Sequence, residues 1–146
     1  MNEDHKAPKY SLKHPSGTLH DATVADALAK KAPDFRISCS SAHDIAATWG
    51  RLPAEVGKTA DLLEYRIIEC QMGLFGYSPQ KRLVKPATNI PVDLQAAIET
   101  RVYDGNIIDC SACWEVAQQL GLPRTTVANA CQGLGLKVKN CQIGAF

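Results

Sequence analysis

Four of the six cysteines recur in a pattern. Cys70 and Cys141 each open a hexapeptide C-Q-[MI]-G-x-F, at Cys70–Phe75 and Cys141–Phe146, and Cys39 and Cys110 each stand just ahead of an apolar-periodic stretch. Core packing rarely needs a thiol at the same two places twice. Four thiolates within tetrahedral reach, Cys39, Cys70, Cys110 and Cys141, would suit zinc or an iron–sulfur cluster. The same residues would also serve as buried thiols in tight spaces, or as thiol pairs within each stretch. Cys110 and Cys113 add a C-x-x-C spacing that has no second copy, and Cys131 reads as a small core residue. The opening MNEDHKAPKYSLKHPSG is polar and has no apolar centre, so it does not read as a secretory signal. A cytoplasmic protein with reduced thiols is expected.

Other chemistry is sparse. His5, His14 and His20 are scattered near the start, and His43 stands alone. There is no glycine-rich phosphate loop, no H-E-x-x-H and no nucleophile elbow. No acid/base pair stands out, and no enzyme is expected. No run approaches the ~18 apolar residues of a membrane span.

The recurrence has a simple origin. Sliding the chain by 71 positions places Ile37–Phe75 on Ile108–Phe146 without a gap, with eleven identities in thirty-nine pairs. Average usage gives about two or three by chance. The chain is therefore read as an internal duplication.

Each copy must hold its cysteines on a small helical scaffold. In the second copy, Ser111 can cap a helix over Ala112–Leu120, and Gly121 can end it in the left-handed conformation. A second helix is expected from Arg124 to Leu134, then a short strand at Leu136–Lys139. Amphipathic stretches Asp21–Lys31 and Val92–Val102 would supply a third helix to each copy. Phe75 and Phe146 are expected to plug the core, and Gly73 and Gly144 to permit a turn.

Residues Cys113–Gln132 resemble the helix-turn-helix signature of bacterial DNA-binding proteins. Ala117 stands where the helices cross, Gly121 in the turn, and Val116, Leu120, Leu122 and Val127 face the core. Ala42–Asp61 resembles it too, through Ile45, Ala46, Trp49, Gly50 and Val56, with Arg51 departing from the apolar turn residue. The strand after the second helix resembles winged-helix variants.

The resemblance implies that the second helix enters the major groove. Its candidate DNA contacts in the second copy are Arg124, Thr125, Thr126 and Asn129, with Lys137 and Lys139 on the strand. In the first copy only Lys58 qualifies, because Glu55 and Asp61 would face phosphates unfavourably. Those positions also suit solvent-facing residues of a scaffold that binds no DNA. The formal charge of +1 does not advertise nucleic acid.

The expected fold is mainly α: tandem duplicated three-helix helix-turn-helix units, each with a short β-strand appendage, packed about a pseudo-twofold. Residues 1–20 are expected to be a mobile tail, 21–76 the first repeat, 77–91 a linker carrying Lys81, Arg82 and Lys85, and 92–146 the second repeat. The linker reads as solvated chain or as a phosphate-contacting arm. The expected function is a DNA-binding regulator acting on double-stranded DNA as a single-chain pseudo-dimer. A protein-interaction adaptor and a thiol- or metal-based sensor are the alternatives. A monomer or homodimer is expected.

Overall fold

A computed structural model describes residues 9–146. It is mainly helical, with six α-helices and four three-residue strands among the described residues. The order helix–strand–helix–helix–strand occurs twice. The first set is α1 (Ala22–Lys31), β1 (Arg36–Ser38), α2 (Cys39–Trp49), α3 (Pro53–Leu62) and β2 (Arg66–Ile68). The second is α4 (Val92–Glu99), β3 (Ile107–Asp109), α5 (Cys110–Leu120), α6 (Arg124–Gly133) and β4 (Lys137–Lys139). Two compact units result. Unit 1 runs to Ile68 and also contains Ile143–Ala145, while unit 2 is Glu69–Gln142 with Phe146.

In unit 1, the Asp21 side chain accepts from the backbone N–H groups of Thr23 and Val24 and so caps α1. Val24 and Leu28 bury the face that this start sets up. Ser38 caps α2 by accepting from Ser41 N–H, and Gly50, at φ 64°, ends it. Pro53 then opens α3, whose Glu55 carboxylate accepts from Leu52 N–H. β1 and β2 pair in parallel, Ile37 opposite Ile67. A parallel pair needs a long crossover, and here the two helices provide it.

The N-terminal expectation needs correction. Residues 1–8 of the expected mobile tail lie outside the described residues, but Tyr10–Lys13 form a 3-10 helix fastened to unit 1. Glu64 accepts from the backbone N–H groups of Tyr10 and Ser11 and from the Ser11 hydroxyl. Lys13 and His14 both meet the buried carboxylate of Asp61, at 3.1 and 2.9 Å. Asp61 therefore does not face outward toward phosphates. Burying a carboxylate requires such partners, and the tail supplies them.

An acid limit follows. Arg51 beside Asp21 holds that carboxyl below the ordinary value. Burial pushes Glu64 up, but the Ser11 and Tyr10 hydrogen bonds outweigh it and leave it low. A carboxylate depressed by folding stabilises the fold above its unfolded value. That contribution is lost as pH falls through the folded value. The urea midpoint of unit 1 should therefore stay flat from neutral pH to about 5 and fall below about 4. Glu64→Gln should shrink the fall. A midpoint as high at pH 3 as at pH 7 would contradict it.

Unit 2 repeats the plan with different details. Its helix α5 starts one residue before the expected Ser111 cap. Asp109 is the N-cap, yet makes no side-chain capping bond. Its carboxylate is occupied by the Tyr103 hydroxyl at 2.6 Å and Asn140 Nδ2 at 2.8 Å. Both hold its pKa below the ordinary value. Gly121, at φ 65°, ends α5 as expected. α4 stops at Glu99, short of the expected Val102. β3 pairs in parallel with β4, Ile108 opposite Val138.

The two hexapeptides belong to the cores chiefly through their third residues, and of the phenylalanines only Phe75, half-buried, packs against a core cluster. Met72 and Ile143 are the fully buried residues, at 0% exposure, whereas Phe146 is 46% exposed. Phe75 and Phe146 instead meet edge to face, with centroids 6.0 Å apart. Met72 packs in the cluster of unit 2 with Val84, Val116, Val127 and Ala128. Ile143 belongs to unit 1, where its carbonyl closes on Gly57 of α3. Each second helix thus has a small residue, Gly57 or Ala128, at the equivalent position.

Candidate nucleic-acid interface

The residues expected to contact DNA fall in three places. Lys58 is exposed on α3 of unit 1. Lys137 and Lys139 are exposed on β4 of unit 2, where Lys139 stands opposite Asp109 in the register. Arg124, Thr125, Thr126 and Asn129 share the first two turns of α6.

Two members of the α6 group are engaged within unit 2. The Arg124 guanidinium lies over the Trp114 ring, 3.6 Å from its centroid, and donates to Gln71 Oε1. The Asn129 carboxamide oxygen accepts from Lys85 N–H at 2.9 Å, and its backbone carbonyl accepts from Ala87 N–H at 3.0 Å. Val127, Ala128, Ala130 and Cys131 are buried. Thr125 stays exposed and Thr126 half-buried. An asparagine reading adenine needs its carboxamide oxygen and nitrogen together, and here the oxygen is occupied.

The occupying segment is the connector, which does not run as a solvated linker. Leu83 and Val84 donate backbone N–H groups to Gly73, and Val84 is buried. A Cβ on Gly133 would meet the Ala87 carbonyl at 2.2 Å, so the chain runs tight against α6. A Cβ on Gly73 would meet Leu83 at 3.4 Å and Thr125 at 3.7 Å. The exposed Lys81, Arg82 and Lys85 are thereby carried to the α6 side of unit 2. Residues 70–92 and 116–136 contain Lys81, Arg82, Lys85 and Arg124 and no aspartate or glutamate. The acids of unit 2 lie outside these stretches, among them Glu115, paired with Arg101, and Asp109 with its two partners.

The thiols sort differently from the expected set of four. Cys39 lies in unit 1, and Cys70, Cys110 and Cys141 in unit 2. Among the described residues, no three or more His, Cys, Asp or Glu side chains are grouped to hold a metal ion. Burial pushes the Cys110 thiol up to about 11, against a hydrogen bond from Gln142. Burial raises Cys70 as well. Cys113 and Cys131 face each other across α5 and α6 with sulfurs 4.0 Å apart, and this contact, then burial, raises Cys113. The motif glutamines have different tasks: Gln71 holds Arg124, and Gln142 donates to Cys110.

Because alkylation needs access to the sulfur, at pH 8 it should begin at Cys141, which is only half-buried while the other five cysteines are buried. Cys110 and Cys113 should stay unlabelled until denaturant is added. Peptide mass spectrometry reads the order, and early labelling of Cys113 would contradict it.

Comparison with known proteins adds no family: no family model matches the chain, and neither a curated protein nor a solved structure does.

Proposed function

We propose that this is a nucleic-acid-binding protein whose unit 2 grips the phosphate backbone of duplex DNA without reading bases through α6. The observation that carries this reading is the docking of the connector along α6, two segments that contain no acid, with Lys81, Arg82 and Lys85 exposed on the connector. Phosphate contacts supply most sequence-independent affinity, and cations clear of neighbouring acids suit that role. The helix–turn–helix order with left-handed Gly50 and Gly121 supports the expected scaffold in both units. Engagement of Arg124 and Asn129 inside unit 2 argues for positioning contacts over base readout. A role in regulation would then be architectural, with little sequence preference.

The test is fluorescence anisotropy of unrelated duplexes over a salt series. Binding should weaken steeply with salt and vary little with sequence. A strong preference for one sequence would restore base readout, and no binding at low salt would remove the proposal.

A second reading has its own observation. Unit 1 exposes Trp49 by 48% and Leu52 by 68% around the turn between α2 and α3. Neighbouring apolar side chains of that size suit an adaptor surface. Sedimentation of Trp49→Ala and Leu52→Ser against the unaltered chain tests it through self-association; identical behaviour would leave the adaptor reading without support.

A further inference from the structure

The turn between α5 and α6 borders a cleft of about 550 Å³ in unit 2. Its walls include Leu122 and Pro123 of the turn, with Gln71, Gln118, Arg124 and Thr125 as polar lining. Trp114 also lines it. Arg124 is the only charged residue of the lining, which leaves the cleft with one positive group and no acid.

Arg124 is held in an unusual way for an arginine near a surface. Its face rests on the Trp114 ring and one N–H is taken by Gln71. An arginine side chain loses considerable rotamer freedom when it grips a ligand. Here the stack and the hydrogen bond have already fixed it. A guanidinium has five N–H donors, so one bond to Gln71 leaves others for an oxygen-rich anion. Thr125 and Gln118 add a hydroxyl and a carboxamide to the same lining.

We propose that this cleft binds a phosphate monoester, with Arg124 as its principal ligand. This inference rests on the nucleic-acid reading for its preferred source, the 5′-phosphorylated end of a strand. A monoester carries about −1.5 to −2 charge at neutral pH and three terminal oxygens, whereas a backbone diester carries one charge and two free oxygens. A fixed, half-buried guanidinium discriminates on those grounds. The cleft volume also exceeds a bare phosphate and leaves room for the attached sugar. Lys81, Arg82 and Lys85 would hold the following backbone, and Arg124 its end.

The experiment compares one duplex prepared with 5′-phosphate and with 5′-hydroxyl ends, by anisotropy at fixed salt, using the full chain. A charge-assisted contact of this kind is expected to give about tenfold tighter binding to the phosphorylated form. Adenosine 5′-monophosphate is the competing probe. If it removes the preference at concentrations where adenosine does not, the monoester alone is recognised and a free nucleotide becomes the source. If it fails while the end preference holds, the strand end is the source. Arg124→Lys keeps the charge but loses the fork and should abolish the preference, while Gln71→Leu should weaken it. Equal affinity for both ends, with salt-dependent binding intact, overturns the monoester site and leaves the backbone reading standing. No binding of either duplex overturns both.

Discussion

Replacing Gly57 by alanine should destabilise unit 1 by about 2–4 kcal/mol, a large loss for a single methyl group. In an ordinary helix interior the same change stabilises, because alanine is the better helix former by about 1 kcal/mol. At Gly57 the added Cβ would lie 1.7 Å from the Ile143 carbonyl oxygen and 2.6 Å from its carbon. Those are backbone atoms, which cannot swing aside like the end of a side chain. Either α3 shifts or Ile143–Ala145 leaves the unit, taking the fully buried Ile143 out of it. A double comparison isolates the cause. In a chain ending at Gln142, already weakened by losing the Ile143 contact, Gly57→Ala should become neutral or stabilising. If it costs as much there as in the full chain, the close approach is not the source. Urea midpoints with unchanged slopes give the reading.

Changing Lys81, Arg82 and Lys85 together to alanine should lower duplex affinity by roughly two to three orders of magnitude at 0.1 M salt. Each phosphate contact contributes about 0.9 to the slope of log affinity against log salt, so losing three should flatten it by about 2.7. All three side chains are exposed, so little structural cost is expected. Lys58→Ala in unit 1 is the control and should leave the slope unchanged. An unaltered slope in the triple variant would place the contacts elsewhere. Loss of affinity with an intact slope would indicate that the connector matters for structure alone.

Much of the scaffold was legible because local rules carried it. Gly50 and Gly121 end their helices in the left-handed conformation, as glycine after an apolar-periodic run should. Ala46, Ala117, Val56 and Val127 are buried at the expected positions. The strand at Lys137–Lys139 was expected, but its partner Ile107–Asp109 was not. Three residues ahead of a helix give too short an alternation to read, and only the parallel pairing defines them. The Ser111 cap failed because strand β3 runs directly into α5, so the helix starts earlier than capping preference alone suggests.

The candidate site was read less well. Arg124 and Asn129 have the right chemistry for base contact, and nothing local reveals that Gln71 and Lys85 will reach them from more than forty positions away. Three prolines made the connector look solvated. Its docking depends on Asn129 and Gly133, an asparagine that can accept and a glycine that lets backbone approach. The hexapeptide is conspicuous as a repeat, but its aromatic ending is the more hydrophobic signal, whereas the residue most deeply buried is the aliphatic Met72 or Ile143. Sequence reveals that a motif recurs, but not which surface receives it.

The placement of Ile143–Ala145 in unit 1 bears on the order in which the chain is made. A ribosome delivers the helices of unit 1 first, yet Ile143, a fully buried residue of that unit, is delivered after every helix of unit 2. Unit 2 has the reverse schedule, since Met72 emerges before the helices that enclose it. The first unit to begin is therefore still incomplete when the last helix of the second has been made, because the segment that closes on Gly57 follows that helix.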